Sequence, residues 1–259
     1  MTFWSDLGKG IAAYFRALIF VFKHGLWYHF FFPLALTVLL YILGYYSLHR
    51  ISEMITDSMS SLISNGRFAS LMASSVMKLI MWFLNSILQD LLMVAIGFVI
   101  QYVVLIACSP MMSALSSSTD HTLTGKSFNI GMGRYLFNLI RGFVVILRNL
   151  LLQLLILIPL VLFFWVPVLG WIIIPIFFLS NWYFLGFNIM DYTYERRRMG
   201  VIAGARFTRK NRGSAIGIGF AFSMLLLIPY IGLALSVVLA PVASSLIVVE
   251  KLESNATAK

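Results

Sequence analysis

The chain has few of the residues that carry chemistry in soluble proteins. Among 259 residues there are one cysteine, four histidines and nine acidic residues, and only 11% are charged. The single cysteine, Cys108, excludes an intramolecular disulfide and a cysteine cluster. The histidines, His24, His29, His49 and His121, show no metal-ligand spacing. We therefore expect no metal site and no cofactor.

Catalytic patterns are missing as well. The apolar tracts contain almost no His, Asp or Glu, and Asp90 and Gln101 do not form an acid–base pair. The only glycine pattern that resembles a nucleotide loop, Gly131-Met132-Gly133, lacks a preceding strand and the remaining phosphate-loop residues. The sequence predicts no catalytic residue, and we interpret the chain as not being an enzyme.

Apolar residues dominate what is present. Hydrophobic residues make up 61% of the chain, more than a soluble core can bury, so the lipid bilayer is the expected partner. The net charge of +10 lies mainly in segments that flank apolar tracts, which is typical of anchoring beside an anionic leaflet and not of nucleic-acid binding. These features predict an all-α integral membrane protein with no nucleic-acid partner.

Two apolar tracts in the C-terminal half each contain a Pro–Gly break. The breaks are Pro167/Gly170 in VPVLGW and Pro229/Gly232 in IPYIGL. Proline removes a backbone donor and glycine permits a reversal, so each tract is predicted to be a helical hairpin with its turn at these residues. Arms of roughly 15–20 residues favour hairpins that penetrate the bilayer only partly. Paired, interrupted hydrophobic segments are also typical of a membrane transport site.

The whole chain is interpreted as one membrane domain, residues 1–259, with two long transmembrane helices beside the two broken hairpins. In chain order, the predicted segments are an interfacial amphipathic helix at 1–24, a transmembrane helix at 26–48, an extramembrane amphipathic segment at 49–75, a long transmembrane helix at 76–108, a polar loop and basic amphipathic helix at 109–148, a broken hairpin at 149–190, a basic loop at 191–213, a second broken hairpin at 214–249 and a polar tail at 250–259.

Charge predicts the orientation of this arrangement. Sixteen of the 19 Lys and Arg residues fall on the side that holds both termini, the 109–148 segment and the 191–213 loop. The positive-inside rule makes that side cytoplasmic. Arg134, Arg141 and Arg148 follow one another at seven-residue steps and so share a helix face. This face is either a vestibule that guides anions or an interfacial anchor.

Several separated motifs resemble the CysZ-type sulfate permease family. They are Pro110 followed by MMSALSSSTDHTLTG, Asp191–Tyr192, Thr208–Lys210, and IPYIGLALSVVLAPVA at Ile228–Ala243. The resemblance runs in order and spacing from about Leu18 to Ser245. It implies two long membrane helices, two partly penetrating hairpins, a bacterial inner-membrane location and a homo-oligomer. It also implies uptake of sulfate, or a similar anion such as sulfite, for cysteine synthesis.

The resemblance places an anion-binding site at Gly25, Leu26, Trp27 and Tyr28, with one departure. Family members resemble one another in a Gly-Leu/Ile-Arg signature there, whereas this chain has tryptophan in place of the arginine. His24 and His29 are the nearby donors that partly replace the guanidinium. The function implied is an oxyanion permease. The alternative is a non-transporting membrane scaffold or assembly factor that keeps the fold but has lost the anion site.

Overall fold

The computed structural model describes residues 3–39, 42, 50, 54, 102–125, 132–163, 167–228 and 231–257. The chain divides into two compact units, one of residues 1–35 and 105–259 and one of residues 36–104. Nearly all of the predicted 49–75 segment and most of the predicted 76–108 helix lie outside the described residues. The packing that follows is that of the first unit.

The described residues form helices and no strand, which confirms the all-α prediction. The helices are α1 (Phe3–Lys23), α2 (Leu26–Leu39, with a 3-10 turn at Leu26–Phe30), α3 (Tyr102–Thr124), α4 (Met132–Phe163), α5 (Pro167–Arg196), α6 (Val201–Lys210), α7 (Arg212–Leu226) and α8 (Gly232–Thr257).

Four of these helices are long and apolar enough to cross a membrane. The candidate spans are Tyr102–Thr124, Ile140–Leu160, Trp171–Arg196 and Gly232–Ser254, and the shorter apolar helices are Leu26–Leu39 and Arg212–Leu226. The chain is thus a multi-pass helical membrane protein. The span in α8 is 83% buried and that in α4 only 28%, so α8 lies at the centre of the unit and α4 at its periphery.

The polar segment after residue 108 is helical, and the prediction of a loop there was wrong. Helix α3 continues through it to Thr124 and ends at Gly125, whose φ of +66° suits glycine. The hydroxyls of Thr119, Thr122 and Thr124 donate to the carbonyls four residues earlier, at 2.8–2.9 Å. These bonds satisfy the polar side chains without ending the helix.

The predicted basic helix and first hairpin arm form one continuous helix, α4, with Pro159 inside it. The next helix, α5, begins at Pro167, so this proline occupies the first helical position, where its missing N–H costs nothing. Gly170 therefore lies inside α5, and the prediction that it forms the reversal was wrong. How deeply this hairpin enters the bilayer stays a prediction.

Two other predicted irregular regions are mostly helical. Helix α5 extends to Arg196 and α6 follows at Val201–Lys210, so the predicted basic loop at 191–213 contains little loop. Helix α8 continues through most of the predicted tail, to Thr257. The second hairpin breaks between Leu226 and Gly232 as predicted, although Pro229 itself lies outside the described residues.

Helix α7 packs closely on two neighbours through small residues. On one face, Gly213 and Gly217 lie against the backbone of α1. On the other face, a Cβ at Gly219 would come 1.9 Å from the Trp182 carbonyl oxygen, and a Cβ at Gly186 of α5 the same distance from the Ala215 oxygen. Small residues spaced four apart permit such approach between helices in membranes.

Helix α1 packs its small residues against the protein and exposes its large apolar residues. Gly10, Ala13 and Ala17 are buried, whereas Trp4 and Phe15 are 76% and 70% exposed. The predicted amphipathic helix therefore has its apolar side turned away from the protein, as a bilayer contact requires. Its interfacial position stays a prediction.

Polar bonds attach α1 to the C-terminal hairpin. Tyr14 donates to the Ile218 carbonyl at 3.0 Å, and burial raises the pKa of this phenol so that it remains a neutral donor. Lys251 lies 2.8 Å from the Asp6 carboxylate in a largely buried pair. The N-terminal and C-terminal helices therefore end beside each other.

Candidate functional site

Polar side chains form a ladder along the interface between α4 and α5. The Arg141 guanidinium lies 3.1 Å from the Asp191 carboxylate. Beyond this pair, Asn149 donates to Asn188 at 2.5 Å. The ladder continues where Gln153 donates to Asn181 at 2.9 Å. The antiparallel helices thus enclose a polar seam in an otherwise apolar hairpin.

The middle rung of the ladder retains unused hydrogen-bonding capacity. Asn149 is fully buried and Asn188 is 2% exposed. The Asn149 Oδ1 atom and the Asn188 Nδ2 atom have no hydrogen-bond partner among the described residues. An unpaired buried amide is costly and is normally satisfied by water or a ligand. The seam can therefore supply the amide NH₂ group of Asn188 to a polar or anionic guest.

A second polar cluster joins α3, α5 and α8. The Thr193 hydroxyl lies 3.1 Å from the hydroxyls of both Ser244 and Ser245. Ser116 lies 3.0 Å from Ser245. All four residues are fully buried, and Ser244 also donates to the Ile189 carbonyl at 3.3 Å. These hydroxyls satisfy one another, so the cluster is a structural junction.

Two arginines at the end of α5 bind α3. Arg196 donates to the carbonyl oxygen of Ser113 at 2.9 Å and to its hydroxyl. Arg197 lies 2.7 Å from Asp120, whose side chain is fully buried while that of Arg197 is 23% exposed. Both arginines bind groups within the protein. The basic residues that this segment exposes at the surface are therefore those that follow Arg197.

The segment predicted to bind the anion lies in the turn between α1 and α2. Gly25 has φ of +69°, a conformation that favours glycine. Leu26 is buried, but Trp27 and Tyr28 are 52% and 56% exposed. This turn packs mainly on α1 and α8. Its aromatic side chains therefore present an exposed surface.

The two predicted histidine donors bond locally. His24 Nδ1 lies 2.9 Å from the Phe20 carbonyl oxygen, and His29 Nδ1 lies 3.2 Å from the Leu26 carbonyl oxygen. Each imidazole uses one ring nitrogen to donate to its own helix or turn, which leaves the other nitrogen for a ligand. Their role in anion binding stays a prediction.

The three arginines predicted to form one stripe have different surroundings. Arg141 is paired with Asp191, whereas Arg148 is exposed. The side chain of Arg134 lies outside what the structure describes. Arg141 is therefore a partly neutralised member of the ladder and Arg148 is a surface cation.

The sequence interpretation overlooked the amides of the ladder. Asn149 and Gln153 are four residues apart in an apolar run, so they share a helix face. Asn181 and Asn188 are seven residues apart in the next run and also share a face. Polar residues inside membrane segments usually turn toward the protein interior. Matching the spacings of the two arms would have predicted the seam.

Comparison with known proteins gives one family. Residues 13–236 match the family described as sulfate transporter CysZ/etoposide-induced protein 2.4. The match covers most of the chain, including the second half of α1, all of α3 and the whole of the α4/α5 hairpin. No curated protein matches the chain.

Proposed function

Because the chain belongs to the sulfate transporter CysZ/etoposide-induced protein 2.4 family, we propose that it is an anion permease for a sulfate-like oxyanion. The membership carries this proposal. In it, the protein works as a homo-oligomer in a bacterial inner membrane and supplies sulfate or a related anion for cysteine synthesis. The contact between Asp6 and Lys251 supports a common side for both termini, and the positive-inside rule makes that side cytoplasmic.

The ladder between α4 and α5 is the proposed route. An anion entering a hairpin must exchange water for other donors, and the Asn188 Nδ2 atom has no partner among the described residues. The Arg141 charge is balanced by Asp191 at 3.1 Å. A permeation site has to bind strongly enough to admit the ion and weakly enough to release it. A balanced cation beside neutral amides meets both requirements, and the concentration gradient drives the flux.

The flux test removes the middle rung as a pair. We expect the double variant Asn149→Leu/Asn188→Leu to lower labelled-sulfate uptake into proteoliposomes by about tenfold or more, the loss of one hydrogen bond to a charged ligand. Replacing both amides avoids leaving one buried without a partner. The control is Leu151→Ala in α4. Leu151 is 59% exposed, so this variant should transport normally.

The two measurements test the identity of the solute and the route of the anion separately. If wild-type protein accelerates neither sulfate, sulfite nor thiosulfate uptake, the solute assignment is wrong. If the wild type transports and the double variant is equally fast, the anion does not pass along the seam.

A second test restores the signature arginine. The exposed position of Trp27 allows Trp27→Arg without burying a charge, so the protein should remain folded. We expect severalfold tighter sulfate binding or faster flux, because a guanidinium supplies a charge-assisted, bidentate contact. Trp27→Leu removes the indole without adding charge and should show no gain. Equal behaviour of both variants and the wild type would argue against an anion site in this turn.

The absence of that arginine also supports a second candidate function. The family includes members that do not transport, and the exposed aromatic pair Trp27 and Tyr28 suits a contact with another membrane protein. A scaffold of this kind would co-purify with one partner in stoichiometric amount and would show no flux. Affinity purification followed by mass spectrometry distinguishes it from the permease.

A further inference from the structure

The segment between the α4/α5 and α7/α8 hairpins contains cations and no acidic residue. No Asp or Glu occurs between Arg196 and Glu250. The exposed cations of this segment are Arg198, Arg206, Arg209, Lys210 and Arg212. None of them belongs to an ion pair among the residues that the structure describes. Their charge is therefore not balanced within that part of the chain.

Helix α6, in the middle of this segment, packs one face on the end of α5. Gly204 is buried, and a Cβ there would lie 2.9 Å from the ring of Tyr194. Thr208, one turn later, is fully buried, and its hydroxyl lies 2.9 Å from the Tyr194 hydroxyl. The Phe207 ring packs edge-on against the same tyrosine, with 5.6 Å between the centroids. These contacts fix which face of α6 is turned toward the protein.

The opposite face of α6 is exposed and basic. Ile202, Arg206 and Arg209 follow one another at steps of four and three residues and so share a helix face. With 3.6 residues per turn, this face lies opposite Gly204 and Thr208. Ile202 is 76% exposed, and both arginines are exposed as well. Basic residues beside an exposed apolar side chain are typical of a helix that lies on a membrane surface.

Helix α6 lies where the apolar part of α5 ends. The candidate span of α5 ends at Arg196, and Tyr194, which contacts α6, lies in its last turn. The side chains of Asp191, Thr193 and Glu195 make this end of the helix polar. Helix α6 therefore adjoins the part of α5 at which the hydrocarbon region is expected to end.

The next helix returns into the apolar region from the same end. Gly186 of α5 lies against Ala215, and Gly219 of α7 lies against Trp182, so the two helices are antiparallel. Helix α7 begins at Arg212 and is apolar after its first residue. The end of α5 and the start of α7 thus lie on one side of the membrane, and α6 connects them at its boundary.

We propose that the exposed face of α6, together with Arg198 and Arg212, is a binding surface for the headgroups of anionic lipids. Charge complementarity favours this partner, since the surface has five cations and no acidic residue. Cations close to an anionic leaflet are attracted to it, and guanidinium groups form paired hydrogen bonds with phosphate.

Lipid binding at this surface has a structural consequence. Helix α6 is attached to α5 through Tyr194 and continues almost directly into α7, so bound headgroups hold the joint between the two hairpins at the membrane surface. This inference does not rest on the proposed function, because a permease and a scaffold both require that joint.

The first test counts bound lipid by native mass spectrometry. The full chain, purified in neutral detergent, is titrated with phosphatidylglycerol and, for comparison, with phosphatidylcholine. We expect Arg206→Gln/Arg209→Gln to weaken phosphatidylglycerol binding by about tenfold or more and to leave phosphatidylcholine binding unchanged. Arg206→Lys/Arg209→Lys keeps the charge and should lose much less. Cys108 is fully buried and should stay unreactive toward a thiol dye in every variant that is folded.

The matched control removes two exposed cations elsewhere. Lys23→Gln/Arg148→Gln lowers the net charge equally, in α1 and α4, and should bind phosphatidylglycerol within about twofold of the wild type. Equal binding by the wild type and Arg206→Gln/Arg209→Gln would overturn the proposal. An equal loss in the control would overturn it too, because the effect would then follow net charge and not this surface.

The second test locates the exposed face of α6 relative to the lipid. Cys108 is buried and is the only cysteine, so Ile202→Cys allows an environment-sensitive fluorophore to be attached at position 202 alone. In nanodiscs that contain phosphatidylglycerol, we expect blue-shifted emission and quenching by lipids with a nitroxide at the headgroup. Emission typical of water, without quenching, would overturn the lipid surface and favour a soluble acidic protein as the partner.

Discussion

Alanine at Gly186 or Gly219 is expected to cost about 3 kcal/mol of stability, at the upper end of overpacking effects. A Cβ at either position would lie 1.9 Å from a backbone carbonyl oxygen of the neighbouring helix. A backbone atom cannot change rotamer to make room, so α5 and α7 must move apart. The helices would then lose the close contact that holds the two hairpins together.

A thiol-reactive fluorogenic dye measures this loss directly. Cys108 is the only cysteine in the chain and is fully buried, so it reacts only when the protein opens. The matched control is Gly142→Ala in α4, where a Cβ would meet no atom within 4 Å. Alanine there favours the helix by about 0.5–1 kcal/mol, so its melting temperature should equal or exceed that of the wild type. Similar melting of all three variants would contradict close backbone packing between α5 and α7.

Replacement of Arg197 by glutamine is expected to destabilise the protein by about 3–5 kcal/mol, the cost of breaking a buried ion pair. The Asp120 side chain is fully buried and lies 2.7 Å from the Arg197 guanidinium. Without the arginine, this carboxylate has to remain charged in the interior or take up a proton. Either outcome weakens the contact between α3 and α5.

The neighbouring arginine provides the control. Arg198 is exposed, and Arg198→Gln should change stability by less than about 0.5 kcal/mol. The same dye assay compares the two variants. Asp120→Asn combined with Arg197→Gln should recover much of the loss, because the uncompensated charge is then absent. If Arg197→Gln and Arg198→Gln melt alike, the Asp120–Arg197 pair does not stabilise the fold.

The composition and the positions of helix-breaking proline and glycine were sufficient to predict an all-α membrane protein. Apolar runs of this length have only helices or closed barrels available in lipid, because every backbone polar group must be satisfied within the chain. Pro229 and Gly232 also located the break between α7 and α8. The other break was misplaced, because proline at the first position of a helix and proline at a turn look the same in sequence.

Polar residues misled the interpretation of 109–124. Serine, threonine and aspartate in a row are typical of loops, because their side chains compete with the backbone for hydrogen bonds. In α3 those side chains find partners instead: Ser116 in the hydroxyl cluster, Asp120 in Arg197, and threonines in their own helix. The partners of Ser116 and Asp120 are 129 and 77 positions away in the chain, where no local pattern can indicate them.

In the candidate site, too, the sequence predicted which side chains share a helix face, and only the packing decided their partners. The seven-residue spacing of Arg141 and Arg148 predicted that they share a face of α4, and helix geometry alone is enough for that. Only the packing of α5 on α4 decided that Arg141 is paired with Asp191 while Arg148 remains exposed. Periodicity and hydrophobicity depend on residues that are close in the sequence. They determine whether a segment lies in lipid or in water and which side chains share a helix face. Which of the two arginines is paired with a carboxylate and which remains exposed depends on helices brought together from distant parts of the chain.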